Sequence, residues 1–160
     1  MFTPIQIASY ISTVANGGTR YQAHVVKKVT DYTRNSVVVN DVAEDPDVLG
    51  TLDVSEANLA VVQQGMRQAI IGGSVSSTLG NYPIALAGKT GTATTQTGSA
   101  HGVFACYAPY EDPQIAIVVV LEHGAHGYSG ASTAKAILDQ YFGINTQPVE
   151  DTPQGDAAAD

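Results

Sequence analysis

The stretch that decides the fold is Ala-Leu-Ala-Gly-Lys-Thr-Gly-Thr-Ala-Thr, residues 85–94. An apolar run, residues 84–87, continues through a glycine directly into Lys-Thr-Gly-Thr at 89–92. Lys89 supplies a positive charge at neutral pH, the threonines supply hydroxyl donors, and Gly91 lets a ligand approach the backbone amides. The pattern therefore predicts a strand that binds an anion or an oxyanion. On these four residues alone, an ordinary edge strand is the alternative.

Two further apolar runs follow this strand and predict a sheet. The first is Val103 to Ala108, and the second, Ile115 to Leu121, is rich in β-branched residues, as expected of a strand buried on both faces. Residues 109–113 have the composition of a turn. Three strands with short connections predict an antiparallel meander. The single cysteine, Cys106, lies in the second run and is interpreted as a buried small hydrophobic residue.

Three amphipathic helices are predicted around these strands. The first has Thr3 and Gln6 as a capping box and runs from Pro4 to Asn16. The second opens at Ser55 and stops at two glycines, and the third ends at Gly143. The predicted apolar faces are Ile7, Ala8, Ile11, Val14 and Ala15, then Leu59, Val62, Met66, Ala69 and Ile70, and finally Ala131, Ala134, Leu138, Tyr141 and Phe142.

The remaining segments are assigned from composition. Tyr21 to Val29 is predicted to be extended, and Asp31 to Asp53 to be an acidic excursion with one short strand at Val37 to Val39. Ser74 to Pro83 is predicted to be a loop. The 160 residues, 44% of them apolar, suit one domain over residues 1–143. Residues 144–160 are predicted to form a disordered acidic tail.

The net charge of -8 comes from local segments. Seven of the 15 acidic residues lie between Asp31 and Glu56 and four between Glu150 and Asp160, so the rest of the chain is slightly basic. No stripe of lysine or arginine is present, which argues against nucleic-acid binding. No stretch approaches 18 apolar residues, so this segment is expected to make no membrane contact. Because a helix signal begins directly after Met1 and Phe2, we expect the chain to be a piece of a longer protein.

Several motifs resemble, in order and spacing, those of one family, the penicillin-binding transpeptidases. The resemblance is to the membrane-anchored, transpeptidase-only (class B) group and covers residues 3 to 143. It rests on Thr-Pro-Ile-Gln-Ile-Ala at 3–8, Val-Ala-Asn-Gly-Gly-Thr at 14–19, Gly-Met-Arg at 65–67, Gly-Lys-Thr-Gly-Thr-Ala at 88–93 and Val-Phe-Ala-Cys-Tyr-Ala-Pro at 103–109. It implies an α+β fold of the β-lactamase/transpeptidase type, of which this chain is the C-terminal part. It also implies D-Ala-D-Ala transpeptidation in peptidoglycan synthesis, with β-lactams as covalent inhibitors.

The resemblance assigns roles to the Lys-Thr-Gly-Thr residues, hereafter the K-T-G strand. Lys89 and Thr92 are the catalytic candidates: Lys89 by its charge and its help in proton transfer, and Thr92 by a backbone N–H that supplies half of the oxyanion hole. Thr90, Gly91 and Thr92 are the substrate-binding candidates. The two hydroxyls would hold the substrate carboxylate, and Gly91 would keep the strand open. No cofactor and no metal are implied.

Two motifs of the family are missing from this sequence. The nucleophilic serine belongs to S-x-x-K, and S-x-N faces it across the cleft; both precede the Thr-Pro-x-Gln helix in the family. No S-x-N occurs here. The one S-x-x-K, Ser132 to Lys135, follows the K-T-G strand on the predicted last helix, with Ser132 off the apolar face. We interpret Ser132 as a surface residue; a catalytic serine there is the alternative. The isolated chain is therefore predicted to be inactive.

Four histidines raise the hypothesis of a metal site. Glu122, His123 and His126 cluster in sequence, and His101 precedes the neighbouring strand. The cluster lies in a glycine-rich turn and lacks the spacing of a helical H-E-x-x-H motif, which argues against a metal. His101 either borders the cleft or is a solvated loop histidine.

The predicted partners follow from the same resemblance. They are a peptidoglycan stem peptide, β-lactams and the missing N-terminal part of the domain, without which the chain is expected to self-associate. The implied location is the outer face of the cytoplasmic membrane. Two rival functions stay open: a non-catalytic module that binds stem peptide or a partner protein, and a hydrolase that uses Ser132.

Overall fold

The computed structural model describes residues 2–39, 46–95, 98–124 and 126–144. Within these ranges no helix combines the length and apolar character needed to cross a bilayer. In chain order the elements are α1 (Pro4–Ala15), β1 (Thr19–Tyr21), β2 (Val29–Thr30), β3 (Val37–Val39), β4 (Val48–Thr51), α2 (Glu56–Gly72), α3 (Ser76–Leu79), β5 (Ala87–Ala93), β6 (His101–Ala108), β7 (Ile115–Leu121), a 3-10 turn (Gly127–Gly130) and α4 (Ala131–Phe142).

The predicted antiparallel meander is confirmed as β5-β6-β7, with β6 in the centre. Its register places Lys89 opposite Ala105 and Gly91 opposite Val103. Ala105 in turn lies opposite Val118 of β7. Because residues at paired positions share a face of the sheet, this register determines which side chains of β6 and β7 lie on the same face as each residue of the K-T-G strand.

Helices cover both faces of this sheet and bury a separate cluster on each. On one face the apolar residues of the strands pack against α4, and on the other they pack against α1; α2 contributes to both clusters. The first cluster includes Ile70, Leu86, Phe104, Cys106, Ile117, Val119, Ala134 and Leu138. The second includes Ile11, Val14, Leu59, Met66, Ala87, Ala105 and Tyr107. The alternation of β6 residues between the clusters explains why this strand is apolar along most of its length.

The predicted helix starts are confirmed, but two positions of the predicted apolar faces are wrong. Thr3 and Gln6 form both bonds of the capping box, and the Ser55 hydroxyl accepts from the Asn58 N–H. Val62 and Tyr141, however, are 48% and 51% exposed. The period of a helix shows which residues share a face, but it does not show how far a neighbouring element covers that face. In the described chain Val62 and Tyr141 lie where this cover is incomplete.

Three segment predictions are also corrected. The stretch from Tyr21 to Val29 forms strand only at its two ends, in β1 and β2. The acidic excursion carries a second strand, β4, which pairs with β1. The predicted loop from Ser74 to Pro83 contains α3. The central part of the excursion, residues 40–45, and the predicted disordered tail from residue 145 onward lie outside the described residues.

A polar network ties α4 to the segment before β5. The Tyr82 hydroxyl donates to Asp139 Oδ1 at 2.9 Å, and Lys135 Nζ donates to Asp139 Oδ2 at 2.6 Å. The bond from Lys135 lowers the pKa of the Asp139 carboxyl, and the Tyr82 bond adds to this effect against an opposing contribution from burial. Burial and the Asp139 carboxylate raise the pKa of Tyr82.

This network predicts a loss of stability in acid. Because the pKa of Asp139 is lowered in the folded chain, its contribution is complete above the pKa of an unfolded aspartate, about 3.9, and disappears as the pH falls through the lower folded value. We expect the free energy of unfolding of Asp139→Asn to lie below that of the unmodified chain at pH 7 and to approach it near pH 3. Urea unfolding at both pH values measures this. The matched control is Asp112→Asn, which changes an exposed carboxylate without a hydrogen bond to the described residues; an equal pH effect there would contradict the assignment.

Candidate active site

The K-T-G strand leaves the core and reaches the surface along β5. Ala87 and Gly88 are buried, Thr90 and Gly91 are half-buried, and Lys89 and Thr92 are exposed. Among the described strands β5 pairs with β6 alone, so it forms one edge of the sheet. The predicted passage from a buried approach to an accessible polar strand is therefore present.

The open edge of β5 presents backbone amides as well as side chains. In an antiparallel ladder the N–H and C=O of one residue point to the same side, and this side alternates along the strand. The Thr90 carbonyl accepts a hydrogen bond of 2.6 Å from Lys89 Nζ, so we infer that it points away from β6. By the alternation of two, the N–H of Thr92 points to the same open edge, where it is available to an incoming oxygen atom.

Positive charge and hydroxyl groups lie on opposite faces of this edge. Lys89 shares a face with Ala105, whereas Thr90 shares the other face with Phe104. The hydroxyls of Thr90 and Thr92 make no hydrogen bond to the part of the chain that the structure describes. A carboxylate or an oxyanion at the edge would have a cation on one side, hydroxyl donors on the other and a backbone N–H between them.

Two contacts fix the beginning of this strand. A Cβ at Gly88 would lie 2.8 Å from the Ala105 carbonyl oxygen and 2.9 Å from Cys106 Cβ, so only glycine fits there. Arg67 Nη1 donates to the Leu86 carbonyl at 2.9 Å and ties α2 to the residues before the strand. Arg67 belongs to the Gly-Met-Arg motif at 65–67, but this contact was not predicted from the sequence. The available signal in the sequence was that Arg67 follows Met66, a residue of the predicted apolar face of the helix.

Three of the four histidines make ring contacts, two of them with each other. The rings of His101 and His123 lie 5.0 Å apart, and the His123 N–H donates to His101 Nδ1 at 3.0 Å. His101 is half-buried and lies opposite Ala93 at the end of β5, so it borders the K-T-G strand. His126 instead stacks on Tyr128, with ring centroids 5.1 Å apart. Among the described residues no group of three or more histidine, cysteine, aspartate or glutamate side chains is arranged to hold a metal ion.

Neither Ser132 nor Cys106 lies in a setting that would activate it as a nucleophile. Ser132 is exposed, and its hydroxyl donates to the Ser129 carbonyl at 3.4 Å. Lys135, its partner in S-x-x-K, is engaged by Asp139 instead. Cys106 is fully buried, as predicted, and burial raises the pKa of its thiol to about 12. A neutral, buried thiol does not attack a substrate.

Comparison with known proteins identifies a family whose sequence model matches this chain. The sequence model of the family described as penicillin binding protein transpeptidase domain matches residues 1–143. Penicillin-binding protein 2A of Bacillus subtilis is 31% identical over 172 residues, which cover 96% of this chain and 24% of the relative. Peptidoglycan D,D-transpeptidase MrdA of Acinetobacter baumannii is 30% identical over 160 residues, covering 88% and 22%. The chain thus spans about a quarter of the length of these relatives.

A solved structure shares the fold. Pseudomonas aeruginosa PBP2, in complex with WCK 5153, superposes with a TM-score of 0.73 at 30% identity. The superposition covers 88% of this chain and 30% of that one. The predicted α+β architecture of the β-lactamase/transpeptidase type is confirmed by this likeness.

Proposed function

This chain belongs to the penicillin-binding protein transpeptidase family, and on that premise we propose that it forms the K-T-G wall of a serine D-Ala-D-Ala transpeptidase that cross-links peptidoglycan. The observation that carries the proposal is the K-T-G strand itself. It lies at an open sheet edge, with the Lys89 ammonium and the Thr92 side chain exposed. A site of this form suits a substrate that ends in a carboxylate and passes through an oxyanion.

The proposed reaction has two acyl transfers. A serine that lies outside this sequence attacks the carbonyl between two D-alanines; its oxygen bonds to that carbon, the C–N bond breaks, and the terminal D-alanine leaves as an amine after taking a proton. An amine of a neighbouring stem peptide then attacks the ester, releases the serine and forms the cross-link. Splitting one difficult step into two easier ones is the advantage of covalent catalysis.

The proposed roles of the strand follow the developing charge. The Thr92 N–H would donate to the oxyanion, a contribution typically of about 3–4 kcal/mol for one preorganised donor. The hydroxyls of Thr90 and Thr92 would hold the terminal carboxylate, and Gly91 would let the peptide lie close to the strand. The Lys89 ammonium would strengthen the field and assist proton transfer to and from the serine.

We further propose that the rest of the domain covers an apolar groove on this chain. A cavity of about 720 Å³ between α1 and the β1–β4 pair is lined by Phe2, Ile5, Tyr10, Tyr21, Leu49 and Leu52, all exposed. Exposed apolar area of this kind favours association. Without the rest of the domain, the chain is expected to self-associate in sedimentation experiments. Cell-wall cross-linking places the site at the outer face of the cytoplasmic membrane.

The test of this function uses the chain assembled with a polypeptide that carries the S-x-x-K and S-x-N motifs of the same domain. We expect labelled benzylpenicillin to attach covalently to the assembly and a D-Ala-D-Ala peptide to slow the attachment. Failure to label would overturn the proposal. If the isolated chain instead binds the peptide without a covalent bond, and Lys89→Ala abolishes this binding, the function is that of a binding module.

A further inference from the structure

The turn after β7 packs directly on the backbone of the K-T-G strand. A Cβ at Gly127 would lie 2.7 Å from the Gly91 nitrogen and 2.6 Å from the Val103 carbonyl oxygen, with the Gly91 carbonyl oxygen closer still. From the other side, a Cβ at Gly102 would lie 2.5 Å from the His126 carbonyl oxygen. We call residues 126–130 the backing turn.

The need for glycine at position 127 comes from space and not from backbone conformation. Gly127 is absent from the glycines with positive φ, so an alanine can adopt its backbone angles. Only the contact with Gly91 and Val103 excludes a side chain. The two backbones are therefore packed as closely as glycine permits, and a shift of the turn would be transmitted to the strand.

An edge strand with one hydrogen-bonded neighbour needs such support. β5 pairs with β6 alone among the described strands, so no second strand of the described chain holds its other edge by hydrogen bonds. Yet the proposed oxyanion donor, the Thr92 N–H, lies on that edge. The value of a preorganised donor depends on its position to within about 0.5 Å. Contact at Gly91, the residue before Thr92, restrains the peptide bond to which this N–H belongs.

We propose that the backing turn is a positioning element for the oxyanion hole, acting through Gly91 on the Thr92 N–H. This inference rests on the proposed transpeptidase function. The turn touches neither the substrate nor the reacting atoms. Its effect belongs to the transition state, in which the oxyanion forms, and not to the initial binding of the substrate.

The test is the kinetics of acylation of the assembled domain by benzylpenicillin. In Gly127→Ala the new methyl group displaces the strand, and we expect the acylation rate constant to fall by about 10–100-fold, since a misplacement of about 1 Å can cost 10²-fold. The dissociation constant before acylation should change by less than about threefold, because binding does not depend on the oxyanion. The number of sites that benzylpenicillin can acylate is titrated for each variant. The rate constants are then compared per titrated site, so that only folded protein is counted.

Gly80→Ala is the matched control outside the backing turn. Its Cβ would lie 2.5 Å from the Ser76 carbonyl oxygen in α3, so it crowds a backbone as Gly127→Ala does but does not press on Gly91. We expect it to lower stability while leaving the acylation rate constant per titrated site within about threefold, because interactions remote from the reacting atoms leave the transition state unchanged. An equal loss of rate in both variants would show a general structural effect and would overturn the inference.

The remaining outcomes separate the two proposals. If the unmodified assembly forms no acyl-enzyme, the proposed function and this inference both fail. If it does, and Gly127→Ala acylates at the unmodified rate, the inference alone fails. Should Gly127→Ala not fold, Tyr128→Ala replaces it: removing the ring stacked on His126 loosens the turn without a clash. A severalfold fall in the acylation rate constant then supports the inference, and an unchanged one overturns it.

Discussion

Lys89→Ala is expected to slow the acylation of the assembled domain by benzylpenicillin about 10³-fold, within the range of about 10²–10⁴ for loss of a group that assists proton transfer. Lys89 is the exposed cation of the K-T-G strand, and its ammonium bonds only to the Thr90 carbonyl within the described chain. In the proposed site, removing it would leave the substrate carboxylate and the attacking serine without the positive charge. The measurement is the second-order acylation rate constant at fixed ionic strength.

The control for this prediction is Lys135→Ala. Lys135 is also a partly exposed lysine, but its ammonium is held by Asp139 on α4. We expect the acylation rate constant to stay within about twofold, because a surface ion pair makes only a small contribution to stability and none to the site. A large loss with Lys135→Ala and a small one with Lys89→Ala would revive the S-x-x-K sequence at Ser132 as the catalytic motif.

Phe104→Ala is expected to lower the free energy of unfolding of the chain by about 3–5 kcal/mol. Phe104 has no exposed surface and lies in the central strand, where it packs with Gly130 and the first cluster. Its removal leaves a cavity that strands on both sides prevent from closing. Because small domains have only about 5–15 kcal/mol of stability, much of the chain should unfold near room temperature in mild urea.

Phe2→Ala is the matched control for this substitution. Phe2 is the same residue type but is 78% exposed, at the rim of the apolar groove. We expect a change within about 0.5 kcal/mol, as is usual for surface positions. Comparable losses in urea unfolding monitored by circular dichroism would contradict the assignment of Phe104 to the core.

The parts of the fold that were predictable from sequence are those with local signals. The meander was predicted because β6 and β7 contain continuous apolar runs. Helix α1 was predicted because Thr3 and Gln6 can form a capping box and Pro4 suits the first helical position. The strands β1 and β4 depend on each other across about thirty residues of chain, so neither has a strong signal alone. The helix α3 has four residues and no side-chain cap, which makes it indistinguishable from a loop in the sequence.

The same distinction holds for the site. The polar side chains of Lys89, Thr90 and Thr92 lie close together in the sequence, so the polar character of the strand could be predicted. The supports of the strand come from distant residues: Gly127 meets Gly91 across the fold, and Arg67 reaches Leu86 from α2. The sequence shows a glycine-rich turn but not what the turn contacts, because the contact that requires glycine depends on tertiary packing.

The measurement that tests the central claim most directly is the intact mass of each polypeptide after incubation with benzylpenicillin. The chain is incubated alone, and then together with a polypeptide that carries the S-x-x-K and S-x-N motifs of the same domain. We predict no adduct on the chain in either sample and an adduct of one benzylpenicillin on its partner in the mixture. An adduct on this chain, lost in Ser132→Ala, would show that the chain carries its own nucleophile and would contradict its assignment as the K-T-G wall of a shared site.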